Sequence, residues 1–425
     1  MKRAVSWLAV LLTALVCGAA PAGAAQVVNA RAVKARTVSA RAVTAPPLAV
    51  TGASLFVQGS DTPLWSRNGN AQLPIASATK MMTALVVLQH VRNLNTVFTQ
   101  NDWTASSADS QIGLIPGERM TVHDLLVALL LPSADDAAED LAYNVGGGSI
   151  ARFLAMMNAD ARALGLRHTH YTTPSGLDTP GNYSSPDDLV RLGQYLMAHW
   201  PFFRHTVRLS HATLTSGRYR RHVVSTDLLV GKVPWIDGIK TGHTAAAGYV
   251  LVSQGRRHGL TLTASVLGTA SEAARDANAL ALLNWGFATF EPVRPVRAGE
   301  RFAERSVEYE SRPALIVAER GYQTVLARDE PVRVVVGRLH RLSPPMAKGT
   351  VVGDLRVTVR GRPSVQIPLI LGRRLPAVSE LTKVGHLLMR PITLLLVALL
   401  IVGAAVAVAE RRRRPRALAT RLQKR

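Results

Sequence analysis

One serine and one lysine, three residues apart, have the types and spacing that nucleophilic catalysis requires. Ser77 and Lys80 belong to the run Ser77-Ala78-Thr79-Lys80. On a helix, residues at this spacing share a face. A serine hydroxyl is a weak nucleophile that needs a neighbouring base, and a lysine partly removed from water can be that base because desolvation lowers its pKa. The alternative is a helix-capping serine with a surface lysine, but the apolar run Met81–Leu88 gives no structural reason for a lysine here.

A second motif, Lys240-Thr241-Gly242, occurs far downstream. We predict that it ends a strand over residues 236–240 and leads into a turn at Gly242. A lysine and a hydroxyl at this place can bind a substrate carboxylate, and a glycine removes a side chain that would obstruct the substrate. An exposed strand edge also lets an extended peptide pair with the backbone. The alternative is a hairpin turn with one surface lysine.

The elements around these motifs indicate an α+β fold. The helix predicted over residues 76–90 is apolar on every side, which is typical of a central, buried helix. Residues 120–166 are rich in helical patterns. Strand patterns precede them at 53–66 and follow at 235–268, before a last helix over 273–287. Strands on both sides of a helical insert predict an antiparallel sheet flanked by helices.

The chain of 425 residues is too long for one ordinary domain. Each predicted segment differs from its neighbours in composition. The segments are a signal peptide at 1–24, a flexible basic linker at 25–47, a catalytic domain at 48–290, a small all-β domain at 291–385, a transmembrane helix at 391–409 and a basic tail at 410–425.

Both ends of the chain predict export and membrane attachment. The first 24 residues combine a basic start, an apolar stretch and a small-residue cleavage site, Ala22-Gly23-Ala24. The only cysteine, Cys17, lies inside this segment, so the mature chain is expected to form no disulfide. Residues 391–409 carry no charge and have the length to cross ~30 Å of hydrocarbon. Because Arg411-Arg412-Arg413-Arg414 follows, we expect the body outside the cell membrane and the tail in the cytoplasm, in a single pass.

The formal charge of +22 is not interpreted as a nucleic-acid signal. Much of it lies in the linker and in the tail, and the rest would favour anionic wall polymers and lipid headgroups. His168 and His170 occupy alternate positions without carboxylate or cysteine support, which is typical of structural histidines rather than metal ligands. No phosphate-binding glycine loop is found. We therefore expect no metal, no organic cofactor and no nucleic-acid partner.

From about residue 49 to 290 the chain resembles the serine D-alanyl-D-alanine carboxypeptidases, the low-molecular-weight penicillin-binding proteins. The similarity rests on Leu73-Pro74-Ile75-Ala76-Ser77-Ala78-Thr79-Lys80-Met81-Met82-Thr83, on Gly176-Leu177-Asp178 with Tyr183-Ser184, and on Asp237-Gly238-Ile239-Lys240-Thr241-Gly242-His243-Thr244. In the β domain, Ala347-Lys348-Gly349 and Val352-Gly353 are also similar to the family. The resemblance implies a β-lactamase/transpeptidase-like catalytic fold followed by a small β domain.

The resemblance also implies roles for individual residues. Ser77 would be the acylated nucleophile and Lys80 its base. The backbone N–H groups of Ser77 and His243 would form the oxyanion hole. Lys240 and Thr241, with Gly242 leaving room, would hold the terminal carboxylate of a peptidoglycan stem peptide ending in D-Ala-D-Ala. β-Lactams, which mimic that dipeptide, would acylate Ser77 and act as covalent inhibitors.

One motif departs from the family pattern. Where the family has Ser-x-Asn, this chain has Ser133-Ala134-Asp135. Ser133, the expected proton relay to the leaving amine, is kept. Asp135 stands at the substrate-binding position of the asparagine, and an ionised carboxylate cannot donate the amide hydrogen bond. Beside Lys80 it would also raise the pKa of the lysine. The alternative is that Asp135 points away or pairs with another residue.

The predicted function is a membrane-anchored, penicillin-sensitive D,D-carboxypeptidase that removes the terminal D-alanine of stem peptides through an acyl-enzyme. Two alternatives stay open. The same site could act as a D,D-endopeptidase or weak β-lactamase, although no convincing Glu-x-x-Leu-Asn segment is found to activate a deacylating water. Asp135 could instead mark a catalytically impaired wall-binding or scaffold protein.

Overall fold

The structure is a computed structural model that describes residues 44–106, 109–307, 310, 312–388 and 391–421. The predicted signal peptide and residues 25–43 of the predicted linker lie outside the described residues. The chain forms two compact units. One extends to Pro292 and includes Val325–Arg328, and the other contains Val293–Thr324 and the chain from Asp329 onward.

An antiparallel sheet of five strands organises the first unit. Its strands are β1 (Gly52–Val57), β2 (Trp65–Arg67), β7 (Ile236–Thr244), β8 (Gly248–Arg257) and β9 (Leu260–Thr269), in the order β2-β1-β9-β8-β7. Two short hairpin sheets accompany it, one formed by β3 (Val97–Thr99) with β4 (Arg119–Thr121) and the other by β5 (His211–Leu214) with β6 (Arg221–Val224). Strand β7 is thus an edge strand of the main sheet.

The predicted turn at Gly242 is wrong. Strand β7 continues through Lys240-Thr241-Gly242 to Thr244, and Gly242 pairs with Val250 of β8. The glycine has no left-handed backbone angle that a turn would require. It serves a close approach instead, because a Cβ at this position would lie 2.9 Å from the backbone nitrogen of Ser77.

The described part of the first unit contains seven α-helices. They are α1 (Lys80–His90), α2 (Val122–Leu130), α3 (Asp135–Val145), α4 (Ile150–Ala163), α5 (Pro186–His199), α6 (Pro201–Thr206) and α7 (Glu272–Thr289). Four of them start at a hydroxyl cap that the sequence supplies, namely Thr121, Ser149, Ser185 and Ser271. The predicted helix over 273–287 is confirmed, with boundaries shifted by one or two residues, and the helical patterns of residues 120–166 form α2, α3 and α4.

Helices cover both faces of the sheet. Neighbouring residues of a strand point to opposite faces, so they meet different helices. Ser54 of β1 donates to the carboxylate of Asp187 in α5, whereas the next residue, Leu55, belongs to the apolar core shared with α7. Helix α1 lies within the helical layer, in contact with α2, α3, α4 and α5. Its residues Lys80–Leu88 are all buried, which confirms the prediction of a central helix.

The second unit is built largely from strands. Their bounds are β10 (Phe290–Val296), β11 (Arg301–Arg305), β12 (Ala314–Ala318), β13 (Tyr322–Ala327), β14 (Val332–Val336), β15 (Val351–Val359) and β16 (Val365–Leu371), of which β10 begins and β13 ends in the first unit. Five of them form an antiparallel sheet in the order β11-β12-β16-β15-β14. Alternate residues of β15 are buried, so one face of this sheet carries the apolar core of the unit.

Two helices follow these strands, α8 (Glu380–Leu388) and α9 (Pro391–Arg421). Within α9, residues Ile392–Ala409 have a mean hydropathy of 2.9 and none of this window is buried. By length and composition α9 is the one helix among the described residues that could cross a membrane.

Candidate active site

Ser77 and Lys80 are held together at the start of α1. A single turn of 3-10 helix, Ala76–Thr79, precedes α1 and carries the serine. The Nζ atom of Lys80 lies 2.8 Å from Oγ of Ser77 and donates to the backbone oxygen of Ser175 at 2.6 Å. The side chain of Lys80 is completely buried. The pair therefore has the geometry in which a lysine can exchange a proton with a serine hydroxyl.

Burial lowers the pKa of Lys80 because it penalises the charged ammonium form. The carboxylates of Asp135, Glu139 and Asp136 oppose this effect by stabilising the ammonium. Burial is the larger influence, so the net pKa lies below that of an ordinary lysine. A lowered pKa is what a lysine needs to act as a base near neutral pH.

Asp135 points at the lysine. Its Oδ1 atom accepts from Nζ of Lys80 at 2.6 Å, and both side chains are buried. The alternative in which Asp135 turns away is therefore wrong. Its effect on the pKa of Lys80 has the predicted upward direction but does not outweigh desolvation. Its backbone N–H donates to the carbonyl of Ser110 at 2.7 Å, so the first turn of α3 is fixed against the loop between β3 and β4.

Ser133, two residues earlier, is held in an uncommon conformation. Its φ is +66°, in the left-handed region, and the residue is buried. Its Oγ atom finds no hydrogen-bond partner in the part of the chain that the structure describes. A buried, unpaired hydroxyl in a strained backbone is uncommon in folded proteins and is concentrated at functional sites.

Lys240 is buried on β7, where the charge of Lys80 influences its pKa. Its Nζ atom donates only to the backbone oxygen of its neighbour Thr241, at 3.1 Å, among the hydrogen bonds of the described residues. Burial first, and the charge of Lys80 second, hold the pKa of Lys240 well below its usual range. Asp135 and Asp227 oppose this shift. An incoming carboxylate would place a negative charge in direct contact with the ammonium group of Lys240.

The remaining residues of the β7 motif take distinct positions. The Oγ1 atom of Thr241 lies 2.5 Å from Oγ1 of Thr226. The backbone of Gly242 approaches the nitrogen of Ser77, as described above. The ring of His243 stacks on that of Tyr249, with centroids 4.0 Å apart. The stacking turns the His243 ring toward β8, and the backbone N–H of this residue is the group that the family resemblance implies for the oxyanion hole.

The structure thus joins three stretches that are distant in sequence. Hydrogen bonds connect Ser77, Lys80 and Asp135, and β7 brings Gly242 against the serine. A cleft of about 500 Å³ lies beside Ala76, lined on one side by residues 176–183. Asp178 accepts from the backbone nitrogen of Ala246 at 3.1 Å and so ties this loop to the β7–β8 turn.

Three residues at the site were missed in the sequence. Ser175 supplies the carbonyl that receives Lys80, and its hydroxyl donates to Glu139 at 3.1 Å. Burial raises the pKa of Glu139 to about 7. Thr226 lies against Thr241 and donates to the carbonyl of Leu131, two residues before Ser133. No local pattern marks these residues, because each acts through a partner far away in the chain.

Proteins of known identity match this chain over most of its length. The family model for D-alanyl-D-alanine carboxypeptidase, peptidase family S11, matches residues 40–271. D-alanyl-D-alanine carboxypeptidase DacA of Escherichia coli is 31% identical over 328 residues, which are 74% of this chain and 80% of the relative. DacF of Bacillus subtilis, a carboxypeptidase of the same description, is 26% identical over 322 residues, 72% of this chain and 80% of the relative.

Solved structures agree with the sequence matches. Penicillin-binding protein 5 from Haemophilus influenzae superposes with a TM-score of 0.62 at 26% identity, covering 79% of this chain and 99% of that protein. The Streptomyces K15 DD-transpeptidase superposes with a TM-score of 0.55 at 33% identity, covering 58% of this chain and 99% of that protein. The mixed α/β architecture with antiparallel sheets is the penicillin-binding-protein fold, and this chain belongs to the D-alanyl-D-alanine carboxypeptidase family of serine peptidases.

Proposed function

We propose that this protein is a penicillin-sensitive D,D-carboxypeptidase that removes the terminal D-alanine from peptidoglycan stem peptides through an acyl-enzyme at Ser77. The observation that carries the proposal is the fully buried ammonium group of Lys80, 2.8 Å from the hydroxyl of Ser77 at the start of a helix. Burying a lysine destabilises the fold unless its charge is paired, and Asp135 supplies that pairing here. The serine hydroxyl then lies within the distance needed for proton transfer.

Acylation begins at Ser77. In its neutral form Lys80 accepts the hydroxyl proton while Oγ forms a bond to the carbonyl carbon of the penultimate D-alanine. The developing oxyanion accepts hydrogen bonds from the backbone N–H groups of Ser77 and His243. One such donor is worth about 100-fold or more in rate. The absence of a side chain at Gly242 supports this assignment, because it lets β7 pass close to the Ser77 nitrogen.

The terminal carboxylate of the substrate is assigned to Lys240 and Thr241. The pKa of Lys240 is lowered by burial and by Lys80, so a substrate carboxylate would stabilise a charge that is otherwise disfavoured and raise this pKa. The site therefore favours substrates that end in a free carboxylate over substrates that continue beyond it.

The leaving D-alanine needs a proton as its C–N bond breaks. Ser133 is assigned to carry that proton from the ammonium group of Lys80 to the leaving amine. Its buried hydroxyl, without a partner among the described residues, supports this role, because it is free to donate and accept in turn.

A catalytically impaired wall-binding protein is the second candidate. The Lys80–Asp135 ion pair favours it, because a carboxylate 2.6 Å from the base stabilises the form that cannot accept a proton. The two candidates differ in whether Ser77 reacts at all. The lowered pKa of Lys80 favours the enzyme.

Mass spectrometry of the purified protein decides between them. The protein is incubated with penicillin and, separately, with a pentapeptide that ends in D-Ala-D-Ala. The enzyme predicts a covalent penicillin adduct on the peptide containing Ser77, release of D-alanine, and loss of both in Ser77→Ala. A folded wild-type protein that gains no adduct and releases no D-alanine would support the scaffold.

We also propose a role for each segment of the chain. We assign catalysis to residues 48–290, a separate β domain to 291–385, and a single membrane pass to 391–409. The exposed apolar window Ile392–Ala409 and the arginines after it support an external body and a cytoplasmic tail. The secretory signal at 1–24 is consistent with that orientation.

Cysteine labelling tests the orientation cleanly, because the only native cysteine, Cys17, lies in the predicted signal. A membrane-impermeant maleimide applied to intact cells should label Ser364→Cys, on an exposed turn of the second unit, and leave Gln423→Cys unlabelled. Labelling of Gln423→Cys alone would reverse the assigned orientation.

A further inference from the structure

Glu139 reaches the catalytic lysine through one intermediate residue. It lies one turn after Asp135 on α3, so both side chains project from the same face of the helix. The hydroxyl of Ser175 donates to Oε1 of Glu139 at 3.1 Å, and the carbonyl of the same serine accepts from Nζ of Lys80 at 2.6 Å. Glu139 therefore holds the residue that holds Lys80.

The loop that carries Ser175 is fixed at two points. Thr83 of α1 donates to the carbonyl of Pro174, and Glu139 of α3 receives the hydroxyl of Ser175. Thr173 also lies within hydrogen-bond distance of the Ser175 hydroxyl, at 2.9 Å, but it belongs to the same loop. Glu139 thus provides the side-chain anchor between Ser175 and α3.

Glu139 also acts on Lys80 by its charge. The charged groups that affect Lys80 are Asp135, Asp136 and Glu139, all from α3, and Lys80 in turn lowers the pKa of Lys240 on β7. Glu139 is itself affected by Asp135 and Lys80. Burial is the main cause that raises the pKa of Glu139 to about 7, so its carboxylate gains its charge as the pH rises through neutrality.

We propose that Glu139 is a positioning residue of the acylation site, which fixes the Ser175 carbonyl against Lys80 and, once ionised, stabilises the ammonium form of that lysine. The proposal rests on the role of Lys80 as the base under the proposed function. Glu139 does not contact the reacting atoms. It sets the position of the base and the pH range over which the base is free to accept the proton of Ser77.

The chain offers a matched control. Asp140 is the next residue of α3, is also buried, and has a pKa raised by burial to about 7. Its carboxylate accepts from Asn144 at 2.9 Å and lies in a different set of contacts from Ser175 and Lys80. Removing its charge changes the buried helix to a similar degree without touching the Glu139–Ser175–Lys80 connection.

The test is the second-order rate of acylation by fluorescent penicillin, measured from pH 5.5 to 8.5 on the full chain in detergent. Glu139→Gln keeps an acceptor for Ser175 and removes the charge. The ratio of its rate to the wild-type rate should be about 1 at pH 5.5 and rise to about three- to tenfold at pH 8, which corresponds to a pKa change of about 0.5 to 1 unit at Lys80. Asp140→Asn should keep a pH-independent ratio.

Ser175→Ala separates position from charge. It breaks the link between α3 and the carbonyl, so its rate should fall about 3-fold or more at every pH. Because the hydroxyl of Ser175 lowers the pKa of Glu139, the pH at which the Glu139 charge takes effect should also move upward in this variant. Should Glu139→Gln fail to fold, Glu139→Met removes the same charge with an apolar side chain of similar length.

Two results would overturn the proposal: a Glu139→Gln profile parallel to that of the wild type, or an equal distortion of the profile by Asp140→Asn. Failure of the proposed function looks different. In that case the wild-type protein is not acylated at all, or Ser77→Ala is labelled as strongly as the wild type.

Discussion

The ammonium nitrogen of Lys80 lies 2.6 Å from the carboxylate oxygen of Asp135, and both side chains are buried. An amide at position 135, as in the family pattern, would donate to the substrate and leave the lysine without a formal negative charge beside it. The carboxylate does the reverse, since it accepts from the lysine and offers no donor to a peptide carbonyl. The pair therefore shifts the balance of the site from substrate contact toward stabilisation of the charged base.

Asp135→Asn should make acylation faster at low pH. Removing the carboxylate leaves burial as the dominant influence on Lys80, so its pKa falls further and more of the lysine is neutral at a given pH. We expect the acidic limb of the penicillin acylation profile to move down by about 1 pH unit or more, which is roughly tenfold in rate at pH 6. Stopped-flow nitrocefin or penicillin acylation measures it.

The same variant should bind peptide better, because the new amide can donate to a substrate carbonyl. A lower KM for the D-Ala-D-Ala pentapeptide is therefore expected alongside the altered pH profile. An acylation rate equal to that of the wild type at every pH would show that the Asp135 charge has no influence on the base.

Gly242→Ala should impair acylation far more than folding. The added Cβ would lie 2.9 Å from the Ser77 nitrogen and 3.1 Å from Cβ of Ala76, so β7 and the serine must move apart. A displacement of this size at the reacting centre can cost about 100-fold in rate, whereas overpacking costs about 1–3 kcal/mol of stability. Gly385→Ala is the control, because a Cβ there meets nothing within 4 Å. Equal acylation rates for the two variants would contradict the close approach inferred at Ser77.

Thr226→Val should weaken substrate binding with little effect on the chemical step. The Thr226 hydroxyl lies 2.5 Å from that of Thr241 and orients the group assigned to the substrate carboxylate. We expect KM for the pentapeptide to rise about three- to tenfold, the cost of one modest hydrogen bond, with kcat nearly unchanged. Thr206→Val, which removes a buried hydroxyl bonded to Phe202 on α6, should leave KM unaltered. A fall in kcat without a change in KM would instead place Thr226 in the acylation machinery.

Asp140→Asn should reduce the pH dependence of stability. Burial raises the pKa of Asp140 from 3.8 to about 7, so the folded state binds this proton more tightly than the unfolded state. The protonated carboxyl is accommodated at pH 4 and below, and its favourable contribution is lost as the pH rises through about 7. The wild-type free energy of unfolding should thus fall by on the order of 4 kcal/mol between pH 4 and 8 from this group. Thermal unfolding of both proteins at several pH values checks it, and identical pH dependences would contradict a buried, proton-binding Asp140.

Much of the framework could be predicted from local pattern. The buried helix after Ser77, the helical patterns of residues 120–166 and the last helix over 273–287 follow from hydrophobic periodicity, which is a local property. The local structure of the Lys240 motif was harder to predict. Its glycine indicated a turn, but the strand continues because glycine there serves contact with another segment.

The network around the lysine could not be predicted in this way. Helix α3 begins with Asp135, Asp136, Glu139 and Asp140, a composition that indicates a solvated helix, yet all four are buried. Their burial depends on partners such as the Ser175 hydroxyl and the backbone N–H groups of Ile112 and Leu114, which are distant in sequence. Contacts of this kind are set by tertiary packing, so only the folded chain shows them.

Ser133 has a φ of +66°, in the left-handed region that residues with a Cβ avoid. Holding an L-residue there costs roughly 1–2 kcal/mol, and a glycine would be exempt. Ser133→Gly would accordingly relax the chain while deleting the hydroxyl, giving a protein that melts at a higher temperature and turns over more slowly. Selection for heat tolerance alone would thus tend to remove the hydroxyl proposed as the proton relay, and screens for stable variants need turnover as a second criterion.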